Sequence, residues 1–249
     1  MDLGLRDKVC VVTGSTGGIG LVAAEQLRAE GALVVTSGRR AEGIGDLHVA
    51  GDLARPGEAE RVVAETVARF GRVDVLVNNV GLAYQAKLDD LTDAQWDELW
   101  QLNVMSYVRA IRAAVPHMRA AGGGVIVNVS STSGKRPSVG MPNYSVTKAA
   151  VLSLSRLAAD TYAKDGIRCN AVCPGPTATE AWLGDGGLAD QQGGDREAIL
   201  AKVGAGRPLG RLAEPEEIAA VIVFLCSERS AYVTGAAWSA DGGTVPIII

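Results

Sequence analysis

Short apolar runs alternate with longer amphipathic stretches along nearly the whole chain. Seven apolar runs have the length of strands, at residues 8–14, 32–38, 47–53, 74–79, 125–131, 167–174 and 236–240. Five stretches have helical periodicity, at residues 18–30, 55–70, 91–121, 143–164 and 215–227. Strands that are apolar throughout are typical of a parallel sheet covered by helices on both faces.

This alternation predicts an α/β fold: a single doubly wound, Rossmann-type domain over residues 1–249 with a seven-stranded parallel sheet. We expect the strand order 3-2-1-4-5-6-7, with the ligand crevice at the carboxyl ends of the strands. No linker or internal repeat indicates a second domain. Residues 176–211 have no strand pattern and are rich in glycine, which predicts a substrate lid within the domain.

Local signals refine two connections. Thr92, with Gln95 three residues later, is the expected N-cap of the helical region 91–121. Pro116 should bend that region or end a segment of it. Too few residues separate Arg39 from the third strand for a helix to form there.

Composition indicates an ordinary globular enzyme, with 47% hydrophobic and 21% charged residues. The net charge of −4 and the absence of a long basic run argue against a nucleic-acid partner. No segment is apolar for long enough to span a membrane, and the start lacks a secretory pattern. The four scattered cysteines are interpreted as reduced core residues and not as a metal site, so we expect a cytoplasmic protein.

A glycine-rich stretch, Thr-Gly-Ser-Thr-Gly-Gly-Ile-Gly at residues 13–20, joins the first strand to the first helix. Glycines allow the backbone to approach a pyrophosphate closely, and a helix N-terminus supplies free N–H groups. The spacing differs from G-x-G-x-x-G, and no Gly-Lys-Ser/Thr follows, which argues against a P-loop. The position after the first buried strand favours dinucleotide binding.

Tyr144 and Lys148 lie one turn apart if their segment is helical, and would then share a face. Because a nearby cation favours phenolate, we expect Lys148 to lower the pKa of Tyr144. Such a pair suits acid/base chemistry on an alcohol or ketone. The alternative is a surface tyrosine beside a solvated lysine.

Several motifs occur in the order found in the classical short-chain dehydrogenase/reductase family, which the chain resembles nearly end to end. They are the glycine loop at 13–20, Asn78-Asn79-Val80-Gly81 with valine in place of the usual alanine, Asn103 in Leu-Asn-Val, Ser131, Tyr144 with Lys148, Pro174-Gly175-Pro176-Thr177-Ala178-Thr179, Thr234-Gly235 and Asp241-Gly242-Gly243. The resemblance implies an oxidoreductase that transfers a hydride between a nicotinamide and a carbonyl or secondary alcohol.

By this resemblance Tyr144 is the acid/base and Lys148 also binds the nicotinamide ribose. Ser131 would stabilise charge on the carbonyl oxygen, and Asn103 would anchor a water that relays protons from Lys148. Taken alone, Ser131 could instead mark a strand end, and Asn103 could bond to its own helix backbone. The expected cofactor contacts are Gly14, Thr16, Gly18, Ile19, Gly20, Arg39, Arg40, Asp52, Leu53, Asn79, Gly81, Tyr144, Lys148, Pro174, Gly175, Thr177 and Thr179.

The end of the second strand bears on cofactor choice. Where an NAD site places an acidic residue, this chain has Gly38, followed by Arg39 and Arg40. A guanidinium can bind a 2′-phosphate, so we favour NADP(H), with NAD(H) as the alternative. Arg39 and Arg40 could also belong to a plain surface turn, and Asp52 could cap the next turn.

The substrate is expected to be a small carbonyl or alcohol compound of unspecified identity. Lys135 and Arg136 could meet an anionic substrate, but we favour a solvated loop. Gly122 and Asp165 stand where carrier-protein reductases often carry basic residues, which argues against a fatty-acid-type 3-oxoacyl substrate. The lid offers an apolar wall of Trp182, Leu183 and Leu188 together with Asp185, Asp190 and Asp195.

Family members are commonly tetramers, so we expect a homotetramer with the apolar tail at residues 245–249 in a subunit interface. Two other functional classes stay open. A nucleotide-sensing protein without turnover should have lost Tyr144 or Lys148, and neither is lost. Lyase, epimerase or dehalogenase chemistry is a further alternative on the same scaffold.

Overall fold

A seven-stranded sheet forms the centre of the protein in the computed structural model, which describes residues 2–247. The strands are β1 (Val9–Thr13), β2 (Leu33–Gly38), β3 (Leu47–Ala50), β4 (Val75–Asn78), β5 (Gly124–Val129), β6 (Ile167–Pro174) and β7 (Ala237–Ala240). All neighbouring strands are parallel, and their order is β3-β2-β1-β4-β5-β6-β7. The predicted fold class and strand order are confirmed.

Helices cover both faces of this sheet. They are α1 (Gly18–Ala29), α2 (Glu58–Phe70), α3 (Asp93–Trp100), α4 (Ser106–Ala120), α5 (Thr132–Lys135), α6 (Pro142–Tyr162), α7 (Glu180–Leu183), α8 (Leu188–Gln191), α9 (Arg196–Ala205) and α10 (Pro215–Cys226). A π-helical segment, Gln101–Met105, joins α3 to α4. None of the helices in residues 2–247 is both long and apolar enough to cross a membrane.

Adjacent side chains of one strand enter opposite cores. Val12 of β1 packs in the same cluster as Ala23 of α1 and Ile222 of α10. Val11, its neighbour, belongs to the cluster on the other face with Val63 of α2. Because both faces are buried, β1 is buried at every position and apolar from Val9 to Val12 instead of alternating. The two cores fix the sheet between its helices.

The predicted N-cap of the region 91–121 is confirmed, and Pro116 does not end a helical segment. Thr92 and Gln95 form a capping box in which each side chain accepts a hydrogen bond from the other's backbone N–H. The α-helical geometry changes at Gln101–Met105, whereas α4 continues past Pro116 to Ala120. Proline removes one helical hydrogen bond, and the burial of Val115 and Met118 against the sheet offsets that loss.

The connection between β2 and β3 contains no helix, as its length predicted. Thr36 holds it by donating from Oγ1 to the Ile44 carbonyl, and Asp46 accepts from the Val34 N–H at 2.8 Å. Strand β3 ends at Ala50 and not at residue 53, so Asp52 and Leu53 lie in the turn that follows. The turn places both residues beyond the carboxyl end of the sheet.

Residues 176–211 contain three short helices, α7, α8 and α9, and no strand of the sheet. Arg196 ties them together, because its guanidinium donates to Asp190 and Asp185 and to the Leu183 carbonyl at 3.1 Å. Asp195 caps α9 by accepting from two of its backbone N–H groups. The acidic side chains of this segment therefore serve its own structure.

Candidate active site

A cleft of about 970 Å3 opens at the carboxyl ends of the strands. Most of the side chains singled out from the sequence line it: Gly14, Thr16, Gly18, Ile19, Arg39, Asp52, Leu53, Asn79, Gly81, Ser131, Tyr144, Lys148, Pro174, Gly175, Thr177 and Thr179. Gly20, Arg40 and Asn103 do not line the cleft. Each of these three residues packs against or hydrogen-bonds to a residue that lines the cleft.

The glycine loop packs tightly against the end of β4. Asn79 donates from Nδ2 to the carbonyl oxygens of Thr13 at 3.1 Å and Gly14 at 3.0 Å. A Cβ at Gly20 would lie 2.5 Å from the Gly14 oxygen, and still closer to the Asn79 amide. A Cβ at Gly14, where φ is +64°, would lie 2.7 Å from the Cα of Val80. These two glycines permit close packing between the loop and the end of β4.

The outer side of the same loop faces open space. No heavy atom lies within 4 Å of a Cβ placed at Gly17, which the sequence interpretation had not singled out. The N-terminus of α1 follows directly, so its free N–H groups and positive dipole end border this space. Across the gap, Thr179 would lie 3.4 Å from a Cβ at Gly18. The loop thus fits a dinucleotide pyrophosphate.

The end of β2 carries positive charge and has no room for a carboxylate. A Cβ at Gly38 would lie 2.7 Å from Oγ1 of Thr16. Arg40 is turned back to the loop, where its Nη1 donates to the Thr16 carbonyl at 2.9 Å. Arg39 lines the cleft, is exposed, and has no hydrogen-bond or ion-pair partner for its guanidinium among residues 2–247. Of the two arginines, only Arg39 is free to meet a ligand.

Asp52 and Leu53 form the opposite wall near β3. Leu53 is buried, and Asp52 accepts a hydrogen bond at 3.1 Å from the N–H of Ala54. The Asp52 carboxylate also lies 3.8 Å from Arg55. The carboxylate therefore caps the turn, as the alternative interpretation of the sequence had it, while the residue still lines the cleft.

Tyr144 and Lys148 lie on the first turns of α6, on the same face of the helix. The Lys148 ammonium is 5.7 Å from the Tyr144 ring centroid. Ser131 begins α5, and its hydroxyl accepts a hydrogen bond from the Ser133 N–H at 3.1 Å. All three residues line the middle of the cleft. The structure thus brings together three of the four residues expected to be catalytic.

Lys148 is buried beneath the cleft floor. Its Nζ donates to the Val129 carbonyl at 2.9 Å and approaches the Tyr107 hydroxyl at 3.5 Å. Burial disfavours the charged form and lowers the pKa of Lys148 to about 8. The lysine therefore changes charge close to neutral pH.

Burial around the Tyr144 phenol raises its pKa above the usual range, and hydrogen bonding with Ser131 opposes the shift. The sequence predicted a lowered pKa through Lys148, and that direction is not observed for the protein alone. Desolvation acts on both members of the pair, so the phenol stays protonated near neutral pH. A protonated phenol can act as an acid toward a carbonyl oxygen.

Asn103 is completely buried in the π-helical segment, where it holds the loop after β4. Its Oδ1 accepts from the Leu82 N–H at 2.9 Å, and its Nδ2 donates to the Leu82 carbonyl at 3.0 Å. Nδ2 also donates to the Thr147 hydroxyl at 3.1 Å. Both amide hydrogens are thus used within the protein, and the side chain does not bond to its own helix. Through these bonds Asn103 links α6 to Leu82, which lines the cleft.

The segment after β6 forms the remaining wall. Pro174 ends the strand, and the Gly175 N–H donates to the Ala240 carbonyl at 3.0 Å. A Cβ at Gly175 would lie 2.9 Å from the Cα of Asp241, so the chain must be glycine here. Thr177 is buried and donates from Oγ1 to the Gly175 carbonyl at 3.0 Å. The turn projects Thr179 toward the glycine loop.

Tyr107 is a site-supporting residue that sequence reasoning missed. It is fully buried, and its hydroxyl reaches the carbonyl oxygens of Val80 at 3.0 Å and Val129 at 3.1 Å. Its ring centroid lies 5.4 Å from the Lys148 ammonium. The signal available in the sequence was its position four residues after Asn103, one helical turn further along.

The outer end of the cleft is formed by the lid segment and the chain after β7. Trp182 and Leu188 line it, whereas Leu183 is 40% exposed and does not. Val245 is buried and also lines this end of its own chain's cleft. Ile248 and Ile249, the last part of the predicted interface tail, lie outside the described residues. No group of three or more His, Cys, Asp or Glu side chains in residues 2–247 could hold a metal ion.

The fold and this site define a nucleotide-binding oxidoreductase of the doubly wound class. The family model described as enoyl-(acyl carrier protein) reductase, a model of short-chain dehydrogenases/reductases, matches residues 14–245. The chain belongs to the short-chain dehydrogenase/reductase family, as its motifs predicted. It is an oxidoreductase of the kind that acts on CH–OH or C=O groups with NAD(P).

Individual relatives match over nearly the whole chain. An uncharacterized oxidoreductase of Bacillus subtilis, YvrD, is 38% identical over 98% of this chain and 99% of its own length. Cis-4-hydroxycyclohexanecarboxylate dehydrogenase of Sinomonas cyclohexanicum is 39% identical over 95% and 96%. The crystal structure of L-sorbose reductase from Gluconobacter frateurii with NADPH and L-sorbose superposes with a TM-score of 0.94 at 38% identity, covering 100% of both chains.

Proposed function

We propose that this protein is an NADP(H)-dependent carbonyl reductase or secondary alcohol dehydrogenase with Tyr144 as its acid/base. The observation that carries the proposal is the placement of the Tyr144 phenol over buried Lys148 and beside Ser131 in a cleft that begins at a glycine loop. When bound, the reduced nicotinamide supplies the hydride. Tyr144 delivers a proton to the carbonyl oxygen in reduction and removes it in oxidation.

The other residues of the site position these groups. Ser131 donates a hydrogen bond to the carbonyl oxygen and stabilises the charge that develops there. The Lys148 ammonium binds the ribose hydroxyls of the nicotinamide and favours the phenolate electrostatically. Asn103 fixes the backbone at Gly81 and Leu82, and any proton-relaying water near Lys148 would be ordered by that backbone. The residues that the sequence predicted as cofactor contacts and that line the cleft, from Gly14 in the glycine loop to Thr179 after β6, form the cofactor's contacts.

The preference for NADP(H) rests on the end of β2. Thr16 occupies the space beside Gly38, so no carboxylate stands where it would hold an adenosine ribose or repel a 2′-phosphate. Arg39, with no partner of its own among residues 2–247, supplies a guanidinium for that phosphate. The structural neighbour with NADPH supports the same choice.

We also propose a homotetramer in the cytoplasm, with residues 1–249 as one domain and 176–211 as its lid. Val146 and Leu157, which are 49% and 64% exposed, lie three turns apart on one face of α6 and favour self-association. All four cysteine thiols are free and buried, which favours a reducing compartment. A monomer in light scattering would contradict the tetramer.

The direct test measures nicotinamide absorbance with a panel of neutral ketones and alcohols, using NADPH and NADH in parallel. We expect turnover with NADPH, and a fall in kcat of about 100-fold or more in Tyr144→Phe, because the acid is removed. Tyr232→Phe is the matched control, since Tyr232 is fully exposed, at 105% relative accessibility. Full activity in Tyr144→Phe would overturn the mechanism, and a strong preference for NADH would overturn the cofactor assignment.

A further inference from the structure

Two arginines line the cleft without a carboxylate partner, and the cofactor contacts proposed above do not use them. Arg136 and Arg207, called here the arginine pair, come from segments on opposite sides of Tyr144 in the sequence. Neither forms an ion pair with any residue in the part of the chain that the structure describes, residues 2–247. A guanidinium group that lines a cleft and has no carboxylate partner is suited to binding an oxyanion.

Arg207 lies just after α9, on a segment fastened to the loop after β7. The Leu209 N–H donates to the Gly242 carbonyl at 3.2 Å, and the Pro208 ring lies 2.7 Å from where a Cβ at Gly243 would be. Thr244 and Val245, which follow this loop, also line the cleft. The anchoring holds the Arg207 backbone at the outer end of the cleft, beside the lid.

The Arg207 guanidinium has unused hydrogen-bonding capacity. Its Nε is buried and has no hydrogen-bond partner among residues 2–247. Its Nη1 bonds only to the carbonyl of the preceding residue, Gly206, at 3.3 Å. Its Nη2 donates to no group in residues 2–247, so the guanidinium keeps a donor for an acceptor on a ligand. Arg207 is therefore poised for a ligand and not for a structural role.

Arg136 also lines the cleft. It follows α5, where its backbone N–H donates to the Thr132 carbonyl at 2.9 Å, and it lies five residues after Ser131. The neighbouring Lys135 is used otherwise, because its Nζ donates to the Ala237 carbonyl at 2.7 Å and to the Ser239 hydroxyl at 3.0 Å. The sequence favoured a solvated loop for both residues. In the structure, Lys135 bonds within the protein, whereas Arg136 lines the cleft.

One acid also lines this end of the cleft. Glu180, at the start of α7, is directed back at Gly184 and pairs with neither arginine. Two guanidinium groups and one carboxylate leave a net positive charge of about one, which favours a singly charged carboxylate over a doubly charged phosphate. Trp182, Leu188 and Val245 supply apolar surface between these charges.

We propose that the substrate is an oxo acid or hydroxy acid whose carboxylate binds the arginine pair while its carbonyl or hydroxyl group meets Tyr144. This inference rests on the proposed function, since it names the substrate class of that site. Arg207 and Arg136 fix the far end of the substrate, so they determine specificity and do not take part in proton or hydride transfer.

The test compares acids with their uncharged esters. Reduction of 3-oxobutanoate, 4-oxopentanoate and 5-oxohexanoate with NADPH is measured beside that of each methyl ester. We expect kcat/KM for at least one acid to exceed that of its ester roughly 10- to 100-fold, the range that a charged hydrogen bond supplies. Arg207→Met and Arg136→Met should remove this advantage through KM for the acid and leave the ester unchanged, and Arg207→Lys should restore part of it.

Lys202→Met is the matched control, because it removes an exposed cation of α9 that does not line the cleft. Equal kcat/KM for acid and ester in the unaltered protein, or equal losses for both in Arg207→Met, would overturn the inference while leaving the proposed function intact. If no ketone is reduced, the proposed function fails, and calorimetric titration of the acids and esters decides the inference separately. Acid binding that Arg207→Met abolishes supports the inference, and absence of acid binding overturns it.

Discussion

Thr16 and Gly38 exclude a side chain from the end of β2. A Cβ at Gly38 would lie 2.7 Å from both Oγ1 and Cγ2 of Thr16, which is closer than real contacts allow. The glycine loop and β2 are also joined by a hydrogen bond from the Ser15 N–H to the Ser37 carbonyl at 3.0 Å. Because this hydrogen bond holds the loop against β2, the packing favours glycine over an acidic residue at position 38.

Exchanging cofactor preference should therefore require two changes. Gly38→Asp alone should lower kcat/KM with both cofactors and reduce stability, since the new side chain collides with Thr16. Adding Thr16→Ala removes the colliding Oγ1 and Cγ2 atoms and should recover activity with NADH, but not with NADPH. Kinetics of both variants with both cofactors check this. A single Gly38→Asp variant as stable and active with NADH as the double variant would contradict the steric argument.

Arg39 and Arg40 should respond differently to substitution. Arg39→Ala should raise KM for NADPH roughly 10- to 100-fold and leave KM for NADH nearly unchanged, because a charged hydrogen bond to the 2′-phosphate is lost. Arg40→Ala should affect both cofactors alike, because Arg40 holds the Thr16 carbonyl of the glycine loop. Equal effects of Arg39→Ala on the two cofactors would show that its guanidinium does not bind the phosphate.

Lys148 should lower the stability of the cofactor-free protein. Its pKa is about 8 in the folded chain and 10.5 as an unperturbed side chain, so the folded state disfavours its charge. The resulting destabilisation is present in full below pH 8 and is relieved as the pH rises from 8 to 10.5. Lys148→Met should raise the free energy of unfolding by about 1–3 kcal/mol near neutral pH while abolishing activity.

Urea unfolding of Lys148→Met and of the unaltered chain, at neutral pH and again above the unperturbed lysine pKa, measures this difference. We expect the gain in stability to vanish at the higher pH. The exposed Lys202→Met serves as a control that should show no comparable pH dependence. If Lys148→Met were destabilised equally at both pH values, the hydrogen bond from Lys148 to the Val129 carbonyl would outweigh the cost of desolvation.

Tyr107 should contribute to stability through its hydroxyl. Tyr107→Phe leaves the half-buried Val80 carbonyl without this donor and should lower the free energy of unfolding by about 1–2 kcal/mol. The change also removes a polar neighbour 3.5 Å from the Lys148 ammonium, so the pH dependence of activity should shift. Tyr232→Phe, at a fully exposed site, should alter neither quantity. An unchanged pH profile in Tyr107→Phe would restrict Tyr107 to a structural role.

Periodicity and motif order in the sequence by themselves determined the sheet, its strand order and the family. Strands such as β1, which is apolar from Val9 to Val12, do not alternate because both faces are covered, and that pattern is visible without coordinates. The positions of Ser131, Tyr144 and Lys148 followed from the same motifs. The sequence left open whether Pro116 bends its helix or ends it, and the structure decides against an end because α4 continues to Ala120.

Only the tertiary structure decided which residues of a segment face the cleft. It separated Arg39 from Arg40, Lys135 from Arg136, and Leu183 from Leu188, because side-chain direction depends on contacts with segments distant in sequence. It also reversed the expected direction of the Tyr144 pKa shift. Burial of the phenol depends on all the segments packed around it, and a lysine one turn away is only one of those neighbours. Sequence spacing specifies neighbours along an element, whereas desolvation and free hydrogen-bonding capacity are properties of the folded whole.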